Sequence, residues 1–345
     1  MKKITLSDIA KKTGYSVNTV SHALRDMKDI SKEVKKHIND TAAAMGYIPN
    51  ISAGVLRGGK TMSVAIIVKD ISLPDCAAAV KEMETILQKR GYSAFVMNTD
   101  GNEETERASI IRALSQNVDG IILCPVLKTK NNIDFLSSNG TPYILFGTYC
   151  KDKNIGYVSP DFTESGYLAA QYLTKLGHSK ILFLCNTDYT ANTKNAITGI
   201  RKALKEASLH DEALIIQTLE DSNDFIKGLS DSFDASAIIC CNPTLAIRVC
   251  RALTLQGKTI PEDISVITIG ENGMYFPSVM SLTSVSAPIT EMAVHSVVSL
   301  LDIIAGNENI PQIIVSPEVL DGETTGEPSR RFKNLSKRQL SDYLL

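Results

Sequence analysis

Residues 6–24 read LSDIAKKTGYSVNTVSHAL, and the apolar positions Leu6, Ile9, Ala10, Val17, Val20 and Leu24 recur at helical spacing on both sides of Gly14. The stretch is therefore read as a helix, a turn and a second helix. Gly14 supplies the positive φ that closes the first helix, and Ser16 caps the second by accepting its free backbone N–H groups. A third amphipathic helix is predicted over 31–45, with Ser31 as its cap and Val34, Ile38, Ala42 and Met45 on one face. Three such helices bury one small core. Gly46 ends the third, and 47–50 leads into a weak helical stretch at 51–56, before Gly58 and Gly59, that reads as a hinge.

Outward from this head the pattern changes. From Ser63, short apolar runs alternate with amphipathic helices: SVAIIV, a helix to Arg90, SAFVMN, a helix to Ser115, DGIILC, then YILF at 143–146. Such alternation predicts parallel strands covered by helices. A second series starts near Asp161: a helix ending in LTKLGHSK, ILFLC at 181–185, a helix to Leu204, ALIIQ, a helix near 222–229, SAIICC, a helix to Leu255 and ISVITI. The expected fold class is an N-terminal all-α helix-turn-helix domain plus an α/β two-lobe body with parallel sheets. Several crossings between such lobes leave a cleft at the strand ends, where small ligands bind. The expected boundaries are a helix-turn-helix domain at 1–48, a hinge and linker at 49–61, the body at 62–330 and a basic, solvated tail at 331–345.

At about 150 residues per domain, the 345 residues allow two to three domains, and 43% hydrophobic with 21% charged residues excludes collagen, long disorder and coiled-coil rods. No run approaches the roughly 18 apolar residues of a membrane span, and the start MKKITLSDIAKKTGYS lacks the apolar core of a signal peptide. A cytoplasmic protein with no membrane partner is expected. The 7 Cys form no C-x-x-C or Cys/His cluster, which argues against a disulfide framework or a zinc site, and adjacent Cys240 and Cys241 suit a buried strand. The net charge of −2 hides a split: residues 1–60 carry 11 Lys/Arg against 5 Asp/Glu, leaving 25 against 33 in the rest. A head of +6 on a body of −8 points to a polyanion partner for the head alone.

Chemistry-bearing residues follow the same division. The second helix presents Val17, Asn18 and His22 outward while Val20 and Leu24 face in. In a DNA major groove Asn pairs bidentately with adenine, His donates to guanine and Val packs on a thymine methyl. Thr5, Ser16, Thr19 and Ser21 are short hydroxyl donors at helix ends, suited to phosphate oxygens or simply to capping. GVLRGGKT at 54–61 matches the phosphate-binding loop G-x-x-x-x-G-K-[ST] letter for letter, the basis of a rival reading as a nucleotide-binding enzyme. That loop needs a strand before it and a helix after it, and here the order is reversed. No G-x-S-x-G elbow, G-x-G-x-x-G fingerprint or histidine metal spacing occurs, so no catalytic residue, metal or cofactor is expected, and His178 in LGHSK reads as a helix terminator. A third reading, a solute-binding protein, shares the two lobes but not the basic head.

Together these parts resemble one family, the lactose-repressor/galactose-repressor type of bacterial transcription regulator. The likeness rests on TLSDIAKKTGYSVNTVS at 5–21, MGYIPNISAGVL at 45–56, LGHSK at 176–180, IPEDISVI at 260–267 and LTSV at 282–285, and spans nearly the whole chain. It implies a periplasmic-binding-protein-like body, a homodimer on near-palindromic double-stranded operator DNA, and a small-molecule effector in the cleft that shifts operator affinity, plausibly for carbohydrate or other catabolic genes. It also implies base reading at Val17, Asn18 and His22. Residues 50–56 would fold on the operator as a hinge helix, with Asn50 at its start, Ala53 allowing close approach and Leu56 wedged into the minor groove. Gly54 departs from the family's usual helix former there, so Gly54→Ala is expected to strengthen operator binding.

The cleft departs further. The family's acidic residue after the fourth strand falls on Gly147, its arginine in R-x-x-G-F on Ala196, and the first aspartate of its G-F-D-D segment on Gly270. Losing three polar anchors together implies a bulkier ligand or a site that no longer reads sugars. The remaining effector-binding candidates are Lys69, Asp70, Thr148, Asp161, Asn242 and Glu271; each is also suited to a cap or a surface position.

Overall fold

Thr5 opens the first helix, α1 (Leu6–Thr13), with a reciprocal cap: its hydroxyl accepts from the Asp8 N–H while the Asp8 carboxylate accepts from the Thr5 N–H. Gly14, at φ 79°, closes α1 by donating its N–H to the Ala10 carbonyl. The Ser16 hydroxyl then accepts from the Thr19 N–H at 3.0 Å and starts α2 (Val17–Leu24). Ser31 does the same for α3 (Lys32–Ala44). Ile9, Val20 and Ile38, one from each helix, are fully buried against Ala10, Ala23 and Ala42. Each large side chain contributes roughly 1.5–3 kcal/mol by that burial. The helices are those the spacing predicts.

The computed structural model describes residues 4–48, 60–126, 130–186, 190–219, 234–270 and 281–329. The expected hinge helix at 51–56, the helix near 222–229 and the tail at 331–345 lie outside the described residues. The chain divides into two units, Met1–Thr61 and Met62–Leu345.

The second unit holds two six-stranded sheets. Its elements run β1 (Ser63–Val68), α4 (Pro74–Lys89), β2 (Ser93–Asn98), α5 (Glu103–Ser115), β3 (Gly120–Leu123), α6 (Asn131–Ser138), β4 (Tyr143–Phe146), β5 (Tyr157–Pro160) and α7 (Phe162–Lys175). They continue as β6 (Ile181–Asn186), α8 (Ala191–Glu206), β7 (Leu214–Leu219), β8 (Ala237–Cys240), α9 (Pro243–Leu255) and β9 (Ser265–Ile269). The last are β10 (Thr283–Ser286), α10 (Ile289–Ile304), β11 (Gln312–Val315) and β12 (Glu318–Leu320). The first sheet has the order β11-β5-β4-β3-β1-β2 and is parallel throughout. The second, β12-β10-β9-β8-β6-β7, is parallel except where β12 meets β10.

Both sheets are covered on both faces, which is why their inner strands read as unbroken apolar runs. On β1, Val64, Ile66 and Val68 pack under α4 and α10, whereas Ala65 and Ile67 pack under α5 and α6. On β6, Phe183 and Cys185 face α7 and α8, and Leu182 and Leu184 face α9.

Two expectations are refined here. The sheets do not sit strictly in tandem: α10 and β11, from the end of the chain, return to complete the first lobe, so the chain crosses between lobes before α7, before α10 and between β11 and β12. His178 does more than terminate a helix. Its backbone N–H does meet the Leu173 carbonyl at the end of α7. The ring, 2% exposed, instead bonds the Ser236 hydroxyl at 2.8 Å, the Ser265 hydroxyl at 3.1 Å and the Gly326 carbonyl at 2.9 Å. It pins the entries of β8 and β9 to the returning chain.

Candidate functional sites

On the helical unit, Val17 is 47% exposed and Asn18 is exposed beside it, both in the first turn of α2. One turn on, His22 is half-buried, and its Nδ1 lies 2.6 Å from the Asp29 carboxylate. That hydrogen bond holds the Asp29 carboxyl below its ordinary range. The hydroxyls at the helix ends all have internal partners. Thr5 Oγ1 donates to Asp8 at 2.7 Å, Ser16 and Thr19 share a hydrogen bond at 2.8 Å, and the Ser21 hydroxyl accepts from Arg25 at 3.0 Å. Each hydroxyl therefore contributes to a cap or a helix-end contact in the free protein. Asn50, Ala53 and Leu56 lie outside the described residues. Asp29, Arg25 and the exposed Tyr15, edge-on to His37, are neighbours the sequence reading did not select.

The second site is a cleft of about 420 Å³ in the two-lobe unit, at the carboxyl ends of both sheets. From the first lobe, Lys69 follows β1, Cys124 follows β3 and Gly147 follows β4. From the second, Cys241 and Asn242 follow β8 and Gly270 follows β9. The first turns of α4, α7, α8, α9 and α10 also reach it, and Phe146, Phe162 and Phe183 supply aromatic wall. Gly147, Ala196 and Gly270, the three positions that the sequence reading singled out as lacking a polar anchor, all line this cleft.

Of the sequence-selected cleft residues, Lys69 and Asn242 line the cavity together. Asn242 Oδ1 is already engaged, accepting from the Leu245 N–H at 2.8 Å as the cap of α9. The other described candidates are absent from the wall. The Asp70 carboxylate accepts from the Ser72 N–H and hydroxyl, Asp161 caps α7, and Thr148 is buried. Glu271 lies outside the described residues.

Sequence reasoning missed Asn192, Asp75, Cys76 and Cys124. Asn192, in the first turn of α8, donates through Nδ2 to the Gly147 carbonyl of the other lobe at 3.2 Å, and among the described residues its buried Oδ1 has no hydrogen-bond partner. Burial raises the Asp75 carboxyl, and Lys69 opposes that shift. Burial also pushes the Cys76 thiol up to about 12 and raises Cys124, so both sulfurs are neutral wall rather than nucleophiles. Cys240 is fully buried at the end of β8, as its neighbours in sequence suggested, whereas Cys241 turns to the cleft. Among the described residues, no group of three or more His, Cys, Asp or Glu is placed to hold a metal ion, and no helix is long and apolar enough to cross a membrane. Lys60 and Thr61 of the phosphate-loop match run directly into β1, so a strand stands where that loop needs a helix.

Comparison with known proteins covers both units. Residues 5–50 match the family described as bacterial regulatory proteins, lacI family, and residues 152–325 match a periplasmic binding protein-like domain. The HTH-type transcriptional regulator DegA of Bacillus subtilis (strain 168) is 30% identical over 299 residues, 84% of this chain and 88% of DegA. The HTH-type transcriptional repressor PurR of Haemophilus influenzae (strain PittEE) is 26% identical over 328 residues, 92% of this chain and 97% of PurR. A lac repressor dimer bound to operator and the anti-inducer ONPF shares the fold, with a TM-score of 0.82 at 19% identity over 94% of this chain and all of that one. A LacI family regulator from Enterococcus faecium with bound ribose gives a TM-score of 0.68 at 25% identity, covering 77% of this chain and 99% of that one.

Proposed function

The chain belongs to the lacI family of bacterial regulatory proteins and is a DNA-binding transcriptional regulator rather than an enzyme; from that premise we propose that it represses by gripping a near-palindromic operator as a homodimer. The observation that carries the reading is the capped helix-turn-helix with Val17 and Asn18 exposed on the first turn of α2, in a head of charge +6. A helix presented this way enters the major groove by its N-terminal end, and a two-fold dimer reads two half-sites about one helical turn apart. Val17, Asn18 and His22 read bases, and Thr5, Ser16, Thr19 and Ser21 contact phosphates by re-aiming hydroxyls that cap helices in the free protein. Asn50, Ala53 and Leu56 supply the minor-groove contact.

In the body, a small molecule held by Lys69 and Asn242 changes operator occupancy. Coupling follows from differential affinity of that molecule for two lobe arrangements. The glycines and alanine at 147, 196 and 270 favour a ligand with fewer hydroxyls than the ribose bound by the Enterococcus faecium relative.

Selection of bound duplex from a random pool tests the core of this reading. A two-fold symmetric consensus is expected, with affinity falling steeply as salt rises. Asn18→Ala should cost about 1–3 kcal/mol at one symmetric pair of positions. Binding without sequence preference, or without salt dependence, would overturn the proposal.

A further inference from the structure

The His22 side chain has two ring nitrogens with different fates. Nδ1 is 2.6 Å from Asp29 Oδ2, across the turn that follows α2. Among the described residues Nε2 makes no hydrogen bond, and the ring remains partly open to solvent. A carboxylate accepts and cannot donate, so the proton of a neutral ring must sit on Nδ1. The lone pair is then left on Nε2, the outward nitrogen. Histidine in that form offers a base edge an acceptor, where an unconstrained ring would offer either.

We propose that Asp29 is a specificity-determining positioning residue: by fixing the tautomer of His22, it makes the operator contact of that residue a hydrogen-bond acceptor whenever the ring is neutral. The inference rests on His22 reading a base, as set out above. An acceptor in the major groove matches the N6 amino group of adenine or the N4 amino group of cytosine. It does not match guanine, whose N7 and O6 are both acceptors. The donation to guanine expected from the sequence therefore belongs to the protonated ring, in which both nitrogens carry hydrogen. The imidazolium Nε2–H suits guanine, or thymine through O4.

The neighbouring charges leave the pair intact. Arg25 on α2 is turned back onto the Ser21 carbonyl and hydroxyl. From α3, Lys35 is bound to Asp26 at 2.7 Å, and its charge also acts on Asp29. Asp29 itself is more than half exposed and supports no core contact, so its replacement leaves the three-helix core of Ile9, Val20 and Ile38 untouched.

Binding-site selection with the full chain at pH 8 tests this, using wild type, Asp29→Ala, Asp29→Asn and His22→Ala. The position read by His22 is the symmetric pair whose preference His22→Ala abolishes. There, wild type is expected to select adenine or cytosine over guanine and thymine. Asp29→Ala should lose about fivefold of the pH 8 discrimination at that pair, the size of one net hydrogen bond, while every other position keeps its preference. Asp29→Asn, whose amide can accept from Nδ1 or donate to it, no longer fixes the tautomer and should lose that discrimination as Asp29→Ala does. An Asp29→Ala profile identical to wild type at pH 8 overturns the proposal and leaves the function standing. A His22→Ala profile identical to wild type removes the base contact itself and the proposal with it.

Discussion

His178 shows what a single buried ring does to the pH response of the body. Burial lowers its pKa below the ordinary 6.5, and the Gly326 carbonyl only partly opposes this. The unfolded chain therefore takes up a proton near pH 6.5 while the folded ring does not. Over the window from about 6.5 down to the depressed folded value, the unfolded state binds more protons, and stability falls as pH falls. Melting from pH 7.5 to pH 5 should show this slope, and His178→Gln should flatten it. That variant should also lower stability at pH 7.5 by about 1–3 kcal/mol, because Ser236 and Ser265 lose a buried partner. An unchanged slope would remove His178 from the account. LGHSK revealed the backbone turn but not the ring's role, because the partners lie 58, 87 and 148 residues away. Asn192 was illegible for a related reason: its importance comes from a carbonyl in the other lobe, and no local pattern marks it.

Elements were legible in proportion to their length and periodicity. The strands of six residues and the long amphipathic helices announce themselves, and so do the three helices of the head, where Gly14 and Ser16 specify the turn. The strands at 157–160, 283–286, 312–315 and 318–320 are as short as those at 120–123, 143–146 and 237–240, but they mix polar residues or proline into the run and so lack the continuous apolar signal that marks the others. The packing of α7 on α8 was hidden as well, because it depends on two glycines meeting in space. A Cβ added to Gly166 would lie 2.0 Å from the Ala196 carbonyl oxygen, and one added to Gly199 would lie 1.8 Å from that of Thr163. The helices touch backbone to backbone at these two points. Gly199→Ala must push them apart and disturb the Ala169, Ala170 and Ile197 packing between them. A loss of about 3 kcal/mol or more is expected, at or beyond the upper end of overpacking costs, against about half to one kcal/mol gained if the site were an ordinary open helix position. Urea unfolding of the two proteins distinguishes the outcomes, and a stabilised variant would mean the helices are not in contact.

At the scale of the two-lobe unit, three chain crossings among the described residues join the lobes, and Asn192 ties them across the cleft. The Nδ2 bond to Gly147 leaves Oδ1 buried without a donor among the described residues. An unsatisfied buried acceptor costs roughly 1–3 kcal/mol. A ligand that brings an N–H or O–H to Oδ1 recovers that cost, and it can do so only in lobe arrangements that keep Asn192 at the cleft. Such a contact is the differential interaction that a ligand-driven shift between states requires. Asn192→Leu removes both the orphan acceptor and the tie, two effects of opposite sign. Stability without ligand should therefore change by no more than about 1 kcal/mol. The response to ligand should not survive so well. With operator occupancy followed while one active metabolite extract is diluted, the dilution giving half the response should shift at least fivefold toward higher concentration, as for the loss of one net hydrogen bond. An Asn192→Leu protein that answers the extract at the wild-type dilution would show that Oδ1 faces no ligand donor, and the cross-cleft bond would then be structural only.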